Sequence, residues 1–140
     1  MSGISNLKRV GLDSNLFIYH FEDNPDFSKV TNRVFGRLSQ GKLAGLTSTI
    51  SLIETLSYPL PAQVVKKITE AFFNIPNLEI VDVDHVIGIE AAKIRREYGF
   101  RLPDSIQLAT ALLHKAQALI TNDKRLKKFR QLKIILLNQV

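Results

Sequence analysis

Residues 102–123 read Leu-Pro-Asp-Ser-Ile-Gln-Leu-Ala-Thr-Ala-Leu-Leu-His-Lys-Ala-Gln-Ala-Leu-Ile-Thr-Asn-Asp, and they predict one complete helix–strand unit. Pro103 suits the first position of a helix, which we predict over residues 104–116. The mostly apolar run at residues 117–121 predicts a buried strand. An acidic residue stands at either end of the unit, with Asp104 in the first helical turn and Asp123 just beyond the strand.

The alternation of strands and helices continues through the rest of the chain. Strands are predicted at residues 8–13, 43–46, 78–83 and 132–137, and helices at residues 27–39, 50–57, 62–73 and 85–97. A helical turn is predicted after Asp13 and a short basic helix after Asp123. This order predicts an α/β fold, with a central parallel sheet of about five strands and helices on both faces. Because 140 residues are about one domain's worth, we expect a single domain over residues 1–140.

Four acidic residues are placed where predicted strands end or helices begin. Asp13 and Asp123 end two strands, Glu54 lies about two helical turns past a third, and Asp104 gains some stabilisation from a helix dipole. Ligands of open α/β sheets bind beyond the carboxyl ends of the strands, so all four side chains can reach one cleft. Carboxylate oxygens suit Mg²⁺ or Mn²⁺. The alternative is that each acid is only a helix cap, a turn residue or a solvated side chain.

Basic side chains dominate the charge of the chain, whose net charge of +6 favours polyanionic partners. Two basic clusters flank Asp104 and Asp123 in sequence, and each is either a solvated helix face or part of a phosphate-binding rim. The first cluster is Lys93, Arg95, Arg96 and Arg101, and the second is Lys124, Arg125, Lys127, Lys128, Arg130 and Lys133.

Cysteine is absent from the sequence, which excludes disulfides, thiolate catalysis and zinc–thiolate sites. This is compatible with a reducing cytoplasm, where we expect the protein to act. No apolar run approaches the roughly 20 residues of a membrane span, so we expect no membrane partner. No nucleophile-elbow motif surrounds any serine, so Ser105 is not expected to complete a hydrolase triad.

With these motifs in this order, the sequence resembles the PIN-domain family and, within it, the VapC-type ribonuclease toxins. The matching segments are Leu-Asp-Ser-Asn at residues 12–15, Glu54 after Thr-Ser-Thr-Ile-Ser-Leu-Ile, residues 102–111, and Leu-Ile-Thr-Asn-Asp at residues 119–123. The resemblance covers about residues 8–137, which is where we expect the core of the domain. Each motif alone is weak, but the four together in a chain of this size are specific.

The resemblance implies an endoribonuclease that uses Mg²⁺ or Mn²⁺ to hydrolyse RNA, leaving a 5′-phosphate and a 3′-hydroxyl. It implies that Asp13 and Asp104 are the principal metal ligands, and that Glu54 and Asp123 are further ligands, direct or through water. Three polar residues would support these acids: Asn15, Thr121 and Asn122. Ser14 stands where many relatives have Thr, and because a hydroxyl is kept the difference carries no weight.

The resemblance also implies partners, and it leaves alternatives open. It implies the toxin of a type II toxin–antitoxin pair, which forms a homodimer and binds an antitoxin. We expect RNA to contact four basic residues: Arg101, Lys124, Lys127 and Lys128. The alternatives are an RNA-processing nuclease of the same fold and a non-catalytic module that binds RNA or protein. Phe35, Phe72 and Phe73 are expected in the core, unless they line a groove for a partner.

Overall fold

Parallel strands form the centre of the fold in the computed structural model, which describes residues 3–140. The predicted domain of residues 1–140 includes Met1 and Ser2, which lie outside the described residues. Within residues 3–140 the sheet has five parallel strands in the order β3-β2-β1-β4-β5. The strands are β1 (Arg9–Leu12), β2 (Ala44–Ser48), β3 (Leu78–Val81), β4 (Ala118–Thr121) and β5 (Lys133–Leu136).

Helices connect the strands and cover both faces of the sheet, so the predicted α/β fold class is confirmed. They are α1 (Ser14–Phe21), α2 (Ser28–Ser39), α3 (Thr49–Leu56), α4 (Ala62–Phe73), α5 (His85–Tyr98) and α6 (Leu102–Leu113). Short 3₁₀ helices occupy Lys124–Lys128 and Leu137–Gln139. Across the described part of the chain, none of the helices is long and apolar enough to cross a membrane.

The apolar core lies in two layers, one on each face of the sheet. Successive residues of a strand point to opposite faces, so Ile134 joins the layer under α5 and α6 whereas Ile135 joins the layer under α1 and α2. Phe72 is fully buried in the second layer. Phe73, which was also expected in the core, is 61% exposed, so that prediction is wrong. Adjacent residues of a helix are about 100° apart, and only one of the two aromatic rings can face the sheet.

Two boundaries differ from the prediction in ways that affect the acidic residues. Strand β2 extends to Ser48, whose hydroxyl accepts a hydrogen bond from the Ile50 N–H and caps α3, the helix that carries Glu54. Helix α6 begins at Leu102 rather than at residue 104. Pro103 is therefore its second residue, where a missing N–H is equally harmless.

Gly11 permits the close packing of α6 on the middle of the sheet. A Cβ atom at this position would lie 2.9 Å from the Ala111 Cβ and 3.1 Å from a methyl of Leu119. Both distances are shorter than ordinary van der Waals contact. Because Gly11 lies two residues before Asp13 and Ala111 lies on the same helix as Asp104, this contact sets how closely two of the acids approach.

We predict that Gly11→Ala destabilises the protein by roughly 1–3 kcal/mol, since the added methyl overpacks a closed contact. Urea unfolding followed by circular dichroism would measure the change. Gly36→Ala is the matched control, because Gly36 lies within α2 and a Cβ there meets nothing within 4 Å. That variant should gain up to about 1 kcal/mol from helix propensity. Equal effects of the two substitutions would contradict the close-packing argument.

Candidate active site

The order in which strands join the sheet reverses at the β1–β4 pair. From β1 the chain adds β2 and β3 on one side and then β4 and β5 on the other, which makes this pair the topological switch point. Leu12 is in register with Ile120, and the Asp13 N–H donates to the Ile120 carbonyl over 3.0 Å. The ends of the two strands therefore hold Asp13 beside Thr121, at the edge where open α/β sheets bind ligands.

The Asp13 carboxylate is buried at this edge, with 5% of the residue exposed. It accepts hydrogen bonds from the Ser14 N–H over 2.8 Å and from the Thr121 hydroxyl over 2.7 Å. Burial raises its pKa from 3.8 to about 6; the hydrogen bonds oppose this rise, and the charges of Asp104 and Glu54 add to it. The fold therefore brings Asp104 and Glu54 close enough to Asp13 for like charges to interact.

Asp104 and Asp123 face two arginine side chains. The Arg101 Nε lies 3.1 Å from Asp104 Oδ2, and Arg125 binds Asp123 through Nε at 3.0 Å and Nη2 at 2.6 Å. Each guanidinium also reaches the other acid, because Arg125 Nη2 lies 3.9 Å from Asp104 and Arg101 Nη2 lies 4.0 Å from Asp123. The Arg125 hydrogen bond is the main reason that the pKa of Asp123 is below its usual value. These two acids thus share one cluster with both arginines.

Glu54 reaches the same edge from α3. Its Oε1 accepts a hydrogen bond of 2.7 Å from the Ser14 hydroxyl, and Ser14 directly follows Asp13. The Ser14 hydroxyl is also contacted by the side-chain amide of Gln107 at 3.0 Å. The structure therefore gathers the four predicted acids around the ends of β1 and β4, and their roles as ligands stay predictions.

The three predicted supporting residues lie beside the acids. Thr121 donates to Asp13 and accepts from the Asp123 N–H over 3.0 Å, so one hydroxyl connects the first and last acids. Asn15 accepts a hydrogen bond of 3.3 Å from the Asn122 N–H. These contacts fix the turn after β4, from which Asp123 projects.

The predicted RNA-binding residues have different surroundings. Arg101 lies in the acidic cluster although its side chain is 64% exposed. Lys124 and Lys128 are exposed next to the cluster, on the 3₁₀ helix that follows Asp123. The Lys127 ammonium donates to the Ile134 carbonyl over 3.1 Å, so this side chain is tied to β5. We expect Lys127 to contribute less to binding a polyanion than its neighbours.

The donor chemistry of the site fits a hard divalent cation, because four carboxylates surround one edge and two of them, those of Asp13 and Asp104, are buried. Within residues 3–140, no three acidic or histidine side chains converge as a ready-made ligand group. Arg101 and Arg125 supply positive charge to Asp104 and Asp123 instead. A cation that used all four acids would therefore have to displace these guanidinium groups.

Three side chains of the site were not singled out from the sequence: Ser51, Gln107 and Arg125. Ser51 lies three residues before Glu54 and Gln107 lies three residues after Asp104, so helical spacing puts each on the face of a predicted acid. That spacing is the signal that could have identified them. Arg125 was recognised only as a member of a basic cluster, since its bidentate contact with Asp123 depends on the turn between them.

We predict that Asp13→Asn stabilises the metal-free protein at pH 8 and not at pH 4. The folded-state pKa is raised, so the stability linked to the proton is fully present below 3.8 and is lost as the pH rises through about 6. The difference between these pKa values corresponds to roughly 3 kcal/mol at pH 8, which a neutral Asn would recover. Urea unfolding in EDTA at both pH values would measure it. No gain at pH 8 would contradict a raised pKa.

Comparisons with known proteins show the family and the fold of the chain. The sequence matches the PIN domain family over residues 10–132. No curated protein sequence matches the chain. Among solved structures, a chain of VapBC2 from Rickettsia felis bound to a promoter DNA fragment is 18% identical, with a TM-score of 0.71, and the match covers 91% of this chain and 98% of that one.

Two further solved structures share the fold. A chain of a toxin–antitoxin complex from Klebsiella pneumoniae is 21% identical, with a TM-score of 0.70. A chain of DNA-bound VapBC from Salmonella typhimurium is 19% identical, with a TM-score of 0.71. Each match covers 94% of this chain and 99% of the other. The predicted PIN-like α/β fold is thus confirmed, and because the sequence match spans most of the residues, this chain belongs to the PIN domain family.

Proposed function

We propose that this protein is a Mg²⁺- or Mn²⁺-dependent endoribonuclease and the toxin of a type II toxin–antitoxin pair, acting in the cytoplasm. The observation that carries the proposal is the position of the acids. Asp13 is buried at the switch point, and its carboxyl is coupled electrostatically to Asp104 and Glu54. A protein rarely crowds like charges without a ligand that offsets their repulsion. The toxin–antitoxin complexes among the structural neighbours support the more specific assignment.

In this proposal Asp13 and Asp104 hold the cation, and Glu54 and Asp123 complete its surroundings. A divalent cation bound there neutralises charge on the phosphodiester and lowers the pKa of a bound water. The protein's own residues orient these acids: Thr121 and the Ser14 N–H fix the Asp13 carboxylate, and the Ser14 hydroxyl fixes Glu54. Hydrolysis by water requires no attack by a 2′-hydroxyl and hence no catalytic histidine.

The arginines of the cluster are suited to the phosphates of RNA. A guanidinium binds a phosphate or a carboxylate through the same two-pronged contact. Arg101 and Arg125 are more than half exposed, at 64% and 58%, so each can turn from a carboxylate to a phosphate at the mouth of the site. Lys124 and Lys128 would extend this positive rim.

Exposed apolar side chains support two protein partners. A groove of about 260 Å³ between α1, α3 and α4 is lined mainly by apolar residues, including Phe21, Tyr58 and Val64. Such a groove suits the apolar face of an antitoxin helix. On α5, Val86 is 52% exposed and Ile89 is 70% exposed, which supports pairing with a second copy of the chain.

We predict that Asp104→Asn abolishes Mn²⁺-dependent cleavage of a generic single-stranded RNA. Asn is nearly isosteric but lacks the charge that holds a cation, and loss of one charge-stabilising group typically costs about 10²-fold or more in rate. Cleavage can be followed by gel electrophoresis with and without EDTA. Asp82→Asn, the same change at an exposed position, should leave the rate unaltered.

The same assay separates the alternatives. A folded Asp104→Asn protein with undiminished metal-dependent activity would remove Asp104 from the active site. RNA binding by the wild-type protein without cleavage in any metal would favour the non-catalytic module over a nuclease.

We predict that the double variant Arg101→Gln, Arg125→Gln binds Mn²⁺ at least about tenfold more tightly while binding RNA more weakly. A positive charge about 4 Å away opposes a cation by about 1 kcal/mol even in water, and two such charges are removed. Titration calorimetry in the absence of RNA would give the metal affinity. Lys42→Gln with Lys66→Gln removes the same charge from exposed positions outside the cluster and should change the affinity by no more than about twofold. Unchanged or weaker Mn²⁺ binding by the arginine variant would contradict the competition.

A further inference from the structure

A buried network of hydroxyl groups and one amide lies beneath the acidic edge. Its members come from α1, β2, α3 and α6, and none is more than 5% exposed. They are Ser14, Thr47, Ser48, Ser51 and Gln107. Among them only Ser14 touches an acid of the site, through its 2.7 Å hydrogen bond to Glu54. The direction of every hydrogen bond in this network follows from counting protons.

The hydrogen bond to Glu54 determines which way the Ser14 hydroxyl donates. A carboxylate only accepts, so the single proton of the Ser14 hydroxyl is used in the bond to Glu54. Ser14 then has only lone pairs for its other partners. Its contact of 3.0 Å with Gln107 is a hydrogen bond only if the amide nitrogen of Gln107 faces Ser14 and donates.

Counting from the opposite end gives the same orientation. The Leu12 carbonyl accepts the Thr47 hydroxyl proton over 2.7 Å. The 2.6 Å contact between Thr47 and Ser51 must therefore use the proton of Ser51. Ser51 in turn accepts from the Gln107 nitrogen over 2.7 Å. Both protons of the Gln107 amide are thus committed, one to Ser51 and one to Ser14.

The remaining atom of the amide is held as well. Gln107 Oε1 accepts a hydrogen bond of 2.8 Å from the Ser48 hydroxyl, which itself accepts from the Ile50 N–H. The 3.2 Å approach of Ser14 to Ser51 has no proton left and is only a contact. An inverted Gln107 would lose its bonds to both serines, because neither serine has a second proton to give.

We propose that Gln107 is a positioning residue of the active site, whose amide directs the Ser14 hydroxyl proton toward Glu54 and so holds that carboxylate as a cation ligand. The inference rests on the proposed function, in which Glu54 is a ligand. Outer hydrogen-bond partners of this kind orient metal ligands, and their loss typically costs about 10–100-fold in affinity. Because Gln107 lies one turn after Asp104 on α6, the same helix that carries one ligand also positions another.

Titration calorimetry with Mn²⁺ alone tests the inference on four proteins: wild type, Ser14→Ala, Gln107→Met and the double variant. Each single substitution should weaken Mn²⁺ binding at least about tenfold. The double variant should be no weaker than the weaker single variant, because the amide acts only through the serine. Ser14→Thr, which keeps the hydroxyl, should restore the affinity. Thr55→Val is the matched control, since it removes a buried hydroxyl of α3 that has no partner in the described structure, and its affinity should be unchanged.

A second measurement needs no substitution at Gln107. In NMR spectra of the metal-free wild type, both side-chain amide protons of Gln107 should exchange slowly with solvent, and Ser14→Ala should speed the exchange of one. Rapid exchange in the wild type, additive losses of affinity in the double variant, or equal losses in Thr55→Val would overturn the inference. A wild type that binds no Mn²⁺ would contradict the proposed function itself, whereas a wild type that binds Mn²⁺ as tightly as its Gln107→Met variant would contradict only the role of Gln107.

Discussion

The burial of one carboxylate, that of Asp13, is the constraint on which the rest of the site depends. Strands β1 and β4 end side by side, and Asp13, the residue after β1, is buried between them and the helices that follow. Burial disfavours the charged form, as the pKa of about 6 reflects. Two hydrogen bonds offset part of this cost, and one of them comes from Thr121 at the end of the neighbouring strand. The pairing of β1 with β4 therefore determines both the burial of the Asp13 carboxylate and the hydrogen bond from Thr121 that offsets part of its cost.

The fold could be predicted from the sequence to the extent that its elements are marked by local pattern. Apolar runs mark the strands. Asp84 caps the start of α5 and Gly99 caps its end, as predicted from their residue types. The prediction that Phe73 is buried is wrong, because the sequence does not indicate which of two adjacent aromatic residues on a helix faces the sheet. Helix α6 was placed too late because Pro103 is tolerated at the second position as well as at the first. In both cases the outcome depends on packing against neighbouring elements, which local sequence does not specify.

The candidate site divides in the same way. The acids could be found from residue type and from their place beside predicted strand ends. The side chains that hold them could not, because their partners are distant in sequence: Gln107 meets Ser14 from 93 residues away, and Thr121 meets Asp13 from 108 residues away. A serine or glutamine in an apolar helix carries little information until the sheet order brings it against another polar group. The order of strands and helices predicted a cleft, whereas the hydrogen-bond partners of its acids became visible only in the folded structure.

The four acids are stabilised by two different means, and the difference has a consequence for binding. Asp13 and Glu54 are held by hydrogen bonds from the hydroxyl groups of Thr121 and Ser14, and these bonds need no ligand. Asp104 and Asp123 are held by guanidinium groups that are more than half exposed, and an exposed arginine can leave its carboxylate for another anion. Under the proposed function, an RNA phosphate gives Arg101 and Arg125 another anion to bind, and the acids that they leave gain affinity for a cation. By linkage, cation and RNA would each strengthen the binding of the other, while Asp13 and Glu54 keep their hydrogen bonds as the fixed half of the site.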